Sequence, residues 1–123
     1  MKTYVVKVED ADFKPIDWHP NIKGKISMAY LIHGEKMSLV LGKCEHGSEF
    51  VDIPGHNEEE VLYILQGGIE YEDGRVVKEG MATINLAGQP HRGRFVSDKP
   101  DKPIIFLEAV SYTHLRAHET VLD

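Results

Sequence analysis

The sequence predicts an all-β sandwich or barrel. Three observations carry that prediction. Short apolar runs recur at close spacing between turn signals, the pattern of all-β domains. No stretch keeps a helical apolar period over about ten residues, so no long amphipathic helix is expected. The pair Asp73-Gly74 stands between two alternating segments, a strong short-range hairpin signal.

Taken in order, "TYVVKV" (Thr3 to Val8) is rich in β-branched residues and is expected to be a strand. The prolines of "ADFKPIDWHPNIKGK" cannot donate to a ladder, so this segment is expected as loop or edge. "ISMAYLIHG" and "KMSLVLGKC" are two apolar strands parted by "GEK". "GSEFVDIPG" alternates and stops at Pro54-Gly55. "VLYILQ" is a short apolar strand, and "GGIEYEDGRVVKEG" holds the hairpin. "MATINLAGQPHRGRFV" follows, then the turn "SDKPDKP" and a last strand in "IIFLEA". Trp18 is expected to pack rather than to cover the barrel mouth.

The chain of 123 residues suits one domain. Its 41% hydrophobic and 28% charged residues are ordinary for a globular protein. A net charge of -6 argues against nucleic acid, whose phosphates need a basic face. No apolar stretch approaches the ~20 residues of a membrane helix. The start "MKTYVVKVED" lacks the apolar core and cleavage site of a signal peptide, so a cytoplasmic protein is expected. Cys44 is the single cysteine, which excludes an intrachain disulfide, and nothing around it points to a lowered pKa.

The chemistry concentrates in "GHNEEEVLYILQGG", from Gly55 to Gly68. Glu60 shares strand parity with Leu62 and Ile64, so its carboxylate is expected to point into an oily interior. A carboxylate there is costly unless it is paired or holds a cation. His56 lies just before the strand, with Asn57-Glu58-Glu59 as a turn that lets it converge with Glu60.

With these residues the chain resembles a small single-domain cupin. The first cupin motif has two histidines one residue apart, then three residues, a glutamate, six residues and a glycine. His56, Glu60 and Gly67 fit that spacing. The second motif opens on a glycine and places a histidine eleven positions later. Gly80, the internal Gly88 and His91 fit it. The match covers roughly Ser38 to Ala109. Pro54 stands where the first motif histidine belongs, while Met81, Leu86 and Phe95 replace the second motif's acidic residue, proline and asparagine. The resemblance implies a double-stranded β-helix, or jelly-roll, barrel that forms homodimers. "TYVVKV" is a plausible pairing edge for such a dimer. It also implies one divalent transition metal, Fe, Mn, Ni or Zn, on His56, Glu60 and His91.

Glu58 and Tyr30 are candidate substrate contacts, and Met28 and Phe106 candidate pocket walls. Glu59 reads as a solvated turn residue, His46 as a loop residue and His33 as turn chemistry. Arg92 and Arg94 alternate away from the side of His91, and Tyr63 alternates outward. Asp52 shares parity with Pro54 but is not expected as a ligand, because Pro54-Gly55 can break the alternation.

The last residues are set apart. "VSYTHLRAHET" resembles a translated transposon-end sequencing adapter, so residues 110–123 are expected to be non-native and residues 1–109 to form the domain. Read instead as a native tail, His114, His118 and Glu119 would imitate a metal cluster.

Two functions from different classes are expected. One is a metal-dependent enzyme acting on a small polar molecule, such as a sugar derivative or an organic acid. Isomerase, dioxygenase, decarboxylase and lyase chemistry all stay open. The other is a non-catalytic binding or sensory barrel that has lost its metal, which Pro54 and Phe95 favour.

Overall fold

A computed structural model describes residues 5–16, 18–52, 59–86, 88 and 91–111. Eleven strands form two antiparallel sheets among them. In chain order they are β1 (Lys14–Pro15), β2 (Ile22–Lys23), β3 (Ile26–His33), β4 (Met37–Cys44), β5 (Glu49–Asp52) and β6 (Glu59–Gln66). Then come β7 (Gly68–Tyr71), β8 (Val76–Lys78), β9 (Ala82–Asn85), β10 (His91–Val96) and β11 (Ile104–Ser111). One sheet runs β1-β3-β4-β11-β6-β9 and the other β2-β5-β10-β7-β8. Consecutive strands alternate between the sheets through much of the chain, which is how two sheets close on a common interior. Among the described residues no helix is long and apolar enough to cross a membrane.

The inner face of the six-stranded sheet is ordered in rows by its register. Phe106 lies beside Gly42 and Ile64, and Ile104 beside Cys44. With Ile26, Ile69, Val77 and Phe95 these residues build the apolar core. Phe106 stacks on Phe95 with ring centroids 5.1 Å apart. It lies so close to Gly42 that any Cβ there would fall inside its ring. Gly67, the glycine of the first motif, has φ 84° and sits against Ile104, so a side chain would be strained in both conformation and space. Further along the sheet the rows turn polar. One runs Tyr30–Val40–Glu108–Leu62–Thr83 and the next Ser38–Val110–Glu60–Asn85.

Expected and observed strands agree from Ile26 onward, and the Asp73-Gly74 hairpin forms as β7–β8. The N-terminus differs. Residues 5–7 are not in a strand, and Val8–Asp10 is a turn of 3-10 helix. Val5, Val6 and Val8 are exposed, so no neighbouring strand or apolar surface rewards their β-branched side chains. Trp18 differs too: it is 64% exposed, and its indole donates to the Pro15 carbonyl in a local turn instead of packing inward. At the other end β11 runs through Val110 to Ser111, two residues past the expected boundary at Ala109. Val110 is buried there because it continues the inward alternation of Ile104, Phe106 and Glu108. The remaining tail residues, including His114, His118 and Glu119, lie outside the described residues.

Candidate functional site

β6 alternates between buried and exposed along its length. Glu60, Leu62 and Ile64 point in, while Val61, Tyr63 and Leu65 point out. The expected parity holds, and it delivers a carboxylate to the interior. His91 opens β10 in the facing sheet, paired with Asp52 of β5. The two sheets thus bring Glu60 and His91 together, with His91 Nε2 3.7 Å from Glu60 Oε1 and both side chains almost wholly enclosed. Phe50 packs edge-on to the His91 ring at 5.5 Å and to Tyr71 at 6.0 Å, fixing the wall on that side.

His56, Glu58 and Pro54 lie outside the described residues. Residues 53–58 join Asp52, the register partner of His91, to β6, the strand of Glu60. Tyr30 shares an inner row with Glu108, two strands away, and its ring stacks on His33 at 4.5 Å. Arg94 is exposed and Arg92 approaches Glu49 at 3.7 Å on the outside. Burial pushes the Cys44 thiol up, which leaves it unreactive.

Three polar side chains join this site without having been singled out in the sequence. Asn85 of β9 pairs directly with Glu60 and is buried. Glu108 of β11 is buried diagonally beside Glu60 and hydrogen-bonded to it. Tyr71 of β7 faces them from the other sheet, its hydroxyl pushed up to about 12 by burial. The alternation Ile104, Phe106, Glu108 carried the signal for Glu108, since it puts a carboxylate on the apolar face of a strand.

Tyr71 and Asn85 lie close enough to interact, but without good hydrogen-bond geometry. The Tyr71 hydroxyl, Asn85 Oδ1 and Glu108 Oε2 are buried without a properly formed hydrogen bond. Such orphan groups each cost about 1–3 kcal/mol. Burial, then the charge of Glu60 and the hydrogen bond to it, push the Glu108 carboxyl well above the usual carboxylate range. A cation among these oxygens and the His91 imidazole would offset that cost, so the residues present suit a divalent metal in kind. Among the described residues no three His, Cys, Asp or Glu side chains stand arranged as a finished metal site.

The two-sheet barrel has clear counterparts among solved structures. The fold is that of the RmlC-like cupins. A cupin of this type from Shewanella frigidimarina aligns with TM-score 0.70 at 16% identity, over 91% of this chain and 93% of that one. A predicted oxalate decarboxylase from Thermotoga maritima aligns with TM-score 0.72 at 20% identity, over 89% and 100%. An acetylacetone dioxygenase from Acinetobacter johnsonii aligns with TM-score 0.72 at 16% identity, over 90% and 75%. At such identities the likeness concerns the fold. No family model and no curated protein matches the chain.

Proposed function

We propose that this cupin barrel binds one divalent transition metal, Fe, Mn, Ni or Zn, and is an enzyme acting on a small polar molecule. A sugar derivative or an organic acid suits the polar end of the interior. His91 and Glu60 would hold the metal, joined by His56 through the motif spacing. The observation that carries this reading is the approach of His91 Nε2 to Glu60 Oε1, at 3.7 Å, from opposite sheets in a buried interior. When bound, the metal supplies a Lewis acid that polarises a carbonyl or carboxylate. The chain's own part is to hold that ligand pair dry, with Phe50 excluding water beside His91 and the orphan Tyr71 hydroxyl and Asn85 carbonyl offering hydrogen bonds. Solved enzymes with this fold, including the acetylacetone dioxygenase, support an enzymatic reading.

A second reading, a binding barrel without turnover, is favoured by Pro54 at the place of the first motif histidine. In either case a homodimer is supported by the outer face of β6 and β9, where Val61, Tyr63, Leu65 and Ile84 are exposed together.

Elemental mass spectrometry of the protein, beside His91→Ala, tests the proposal. Near one transition metal per chain, lost in the variant, is expected. No metal in either, after reconstitution with iron, manganese, nickel and zinc in turn, refutes the metal site and leaves the binding barrel.

A further inference from the structure

We infer that Arg75 and Thr83 form an anion subsite at the side of the candidate site, which selects a short organic acid over a neutral sugar. The inference deepens the enzymatic reading above and rests on it for what lies beside the subsite. β8 and β9 are the last strands of their sheets, and they meet at a seam with no ladder between them among the described residues. Arg75, just before β8, reaches across that seam. Its Nη1 donates to Thr83 Oγ1 at 2.9 Å and to the Ile84 carbonyl at 3.1 Å, both on β9. Its Nε donates to Asp73 Oδ2 at 2.9 Å, and its guanidinium carbon lies 4.1 Å over the Tyr71 ring. A guanidinium held at so many points gives up little rotamer freedom when a ligand arrives.

Those contacts leave Nη2 unspent: among the described residues neither of its N–H groups meets an acceptor. Thr83 accepts from Arg75, so its own hydroxyl hydrogen is left to donate. Thr83 shares inward parity with buried Asn85 and stands in the inner row of Leu62 and Glu108. Two neighbouring donors, one of them permanently cationic, suit the oxygens of a carboxylate. Asp73 is the acid in contact with Arg75. It stands on the solvent side, 58% exposed, with Oδ1 turned to the Arg75 backbone N–H. Water screens an exposed pair of this kind, so Asp73 offsets only part of the charge offered at Nη2.

The spacing along β9 sets the size of the ligand. Residues two apart on a strand stand about 7 Å from one another. Thr83 is therefore that far from Asn85, the register partner of Glu60. A molecule with its carboxylate on Arg75 Nη2 and Thr83 Oγ1 needs only a few carbon atoms to bring a second oxygen function to the row of Glu60. A neutral sugar would leave the guanidinium without a counter-charge.

The test titrates the full chain with malonate and with malonamide, its neutral isostere, at low ionic strength. Backbone amide chemical shifts follow binding, and metal content is measured on the same sample. Malonate is expected to bind at least tenfold more tightly than malonamide. Arg75→Gln should abolish that preference while malonamide binding and far-ultraviolet circular dichroism stay as in the wild type. A preference kept in folded Arg75→Gln, or a wild type that binds malonate no better than malonamide, overturns the subsite. The metal reading fails separately: a metal-free sample with an Arg75-dependent preference keeps the subsite and sinks the metal, and a metal-loaded sample without the preference does the reverse. Should Arg75→Gln fail to fold, a crystal structure of the wild type grown with malonate decides. A carboxylate oxygen within about 3 Å of Arg75 Nη2 supports the assignment, and malonate elsewhere or absent overturns it.

Discussion

In the metal-free protein the Glu60–Glu108 pair should make stability fall as pH rises, and Glu108→Gln should remove that dependence. Burial first, then the charge of Glu60 and the hydrogen bond to it, raise the folded Glu108 carboxyl well above its ordinary value of 4.5. The fold therefore favours the neutral acid. Its stabilising contribution is complete below the unfolded value, near pH 4.5, and is lost as pH climbs toward the folded one. Across that window the folded chain holds a proton that the unfolded chain has released, so stability falls as pH rises, by on the order of 1 kcal/mol per pH unit. The group is enclosed, so solvent does not screen the effect. The variant keeps an N–H that can donate to Glu60 and has nothing to ionise. Urea unfolding of both chelator-treated proteins at pH 5, 6, 7 and 8 measures the difference. The two curves should diverge from pH 5 upward, the wild type losing ground. Parallel curves over that range would refute the reasoning, because an acid with an ordinary pKa would already be ionised throughout.

Other outcomes follow from the packing. Gly42→Ala forces a methyl into the Phe106 ring, which Phe95 blocks from retreating, and should cost about 1–3 kcal/mol in denaturant unfolding. Ser48→Ala removes a buried hydroxyl that accepts from Lys25 N–H and donates to Lys25 C=O, both at 3.1 Å. Its loss should cost about 1–3 kcal/mol by the same measurement. The Cys44 thiol, raised by burial, should react with an aromatic disulfide reagent only as the protein unfolds, so labelling in water should follow the unfolding rate.

The barrel was legible because its strands obey a period of two and are separated by turn residues. The alternation in "EEVLYILQ" alone places Glu60 inside and Tyr63 outside, and the structure agrees at each position. The N-terminal "TYVVKV" misled because β-branched residues favour a strand only where a neighbour and a buried face await them, and exposed Val5, Val6 and Val8 have neither. Glu60 and His91 were legible by spacing. Only the motif resemblance put them at one site; composition and alternation could not, since their approach depends on β6 and β10 lying in opposite sheets. Asn85 and Tyr71 escaped notice because each closes a four-residue strand, and Glu108 because it is a lone acid in an otherwise apolar run. What unites them is the inner row order, a property of pairings between segments far apart in sequence.

The place of β11 has a consequence for how the molecule assembles. It lies between β4 and β6, pairing Ile104 with Cys44 and Ser111 with Met37 across most of the chain. The six-stranded sheet thus waits for its central member until nearly all the other strands have been made. Such distant pairings impose a large loop-closure entropy before any contact rewards it, and slow folding. During synthesis, the edges of β4 and β6 stay open to wrong partners until β11 arrives. Anything that delays that arrival would therefore show first as aggregation of nascent chains, well before it changed the equilibrium stability of the finished barrel.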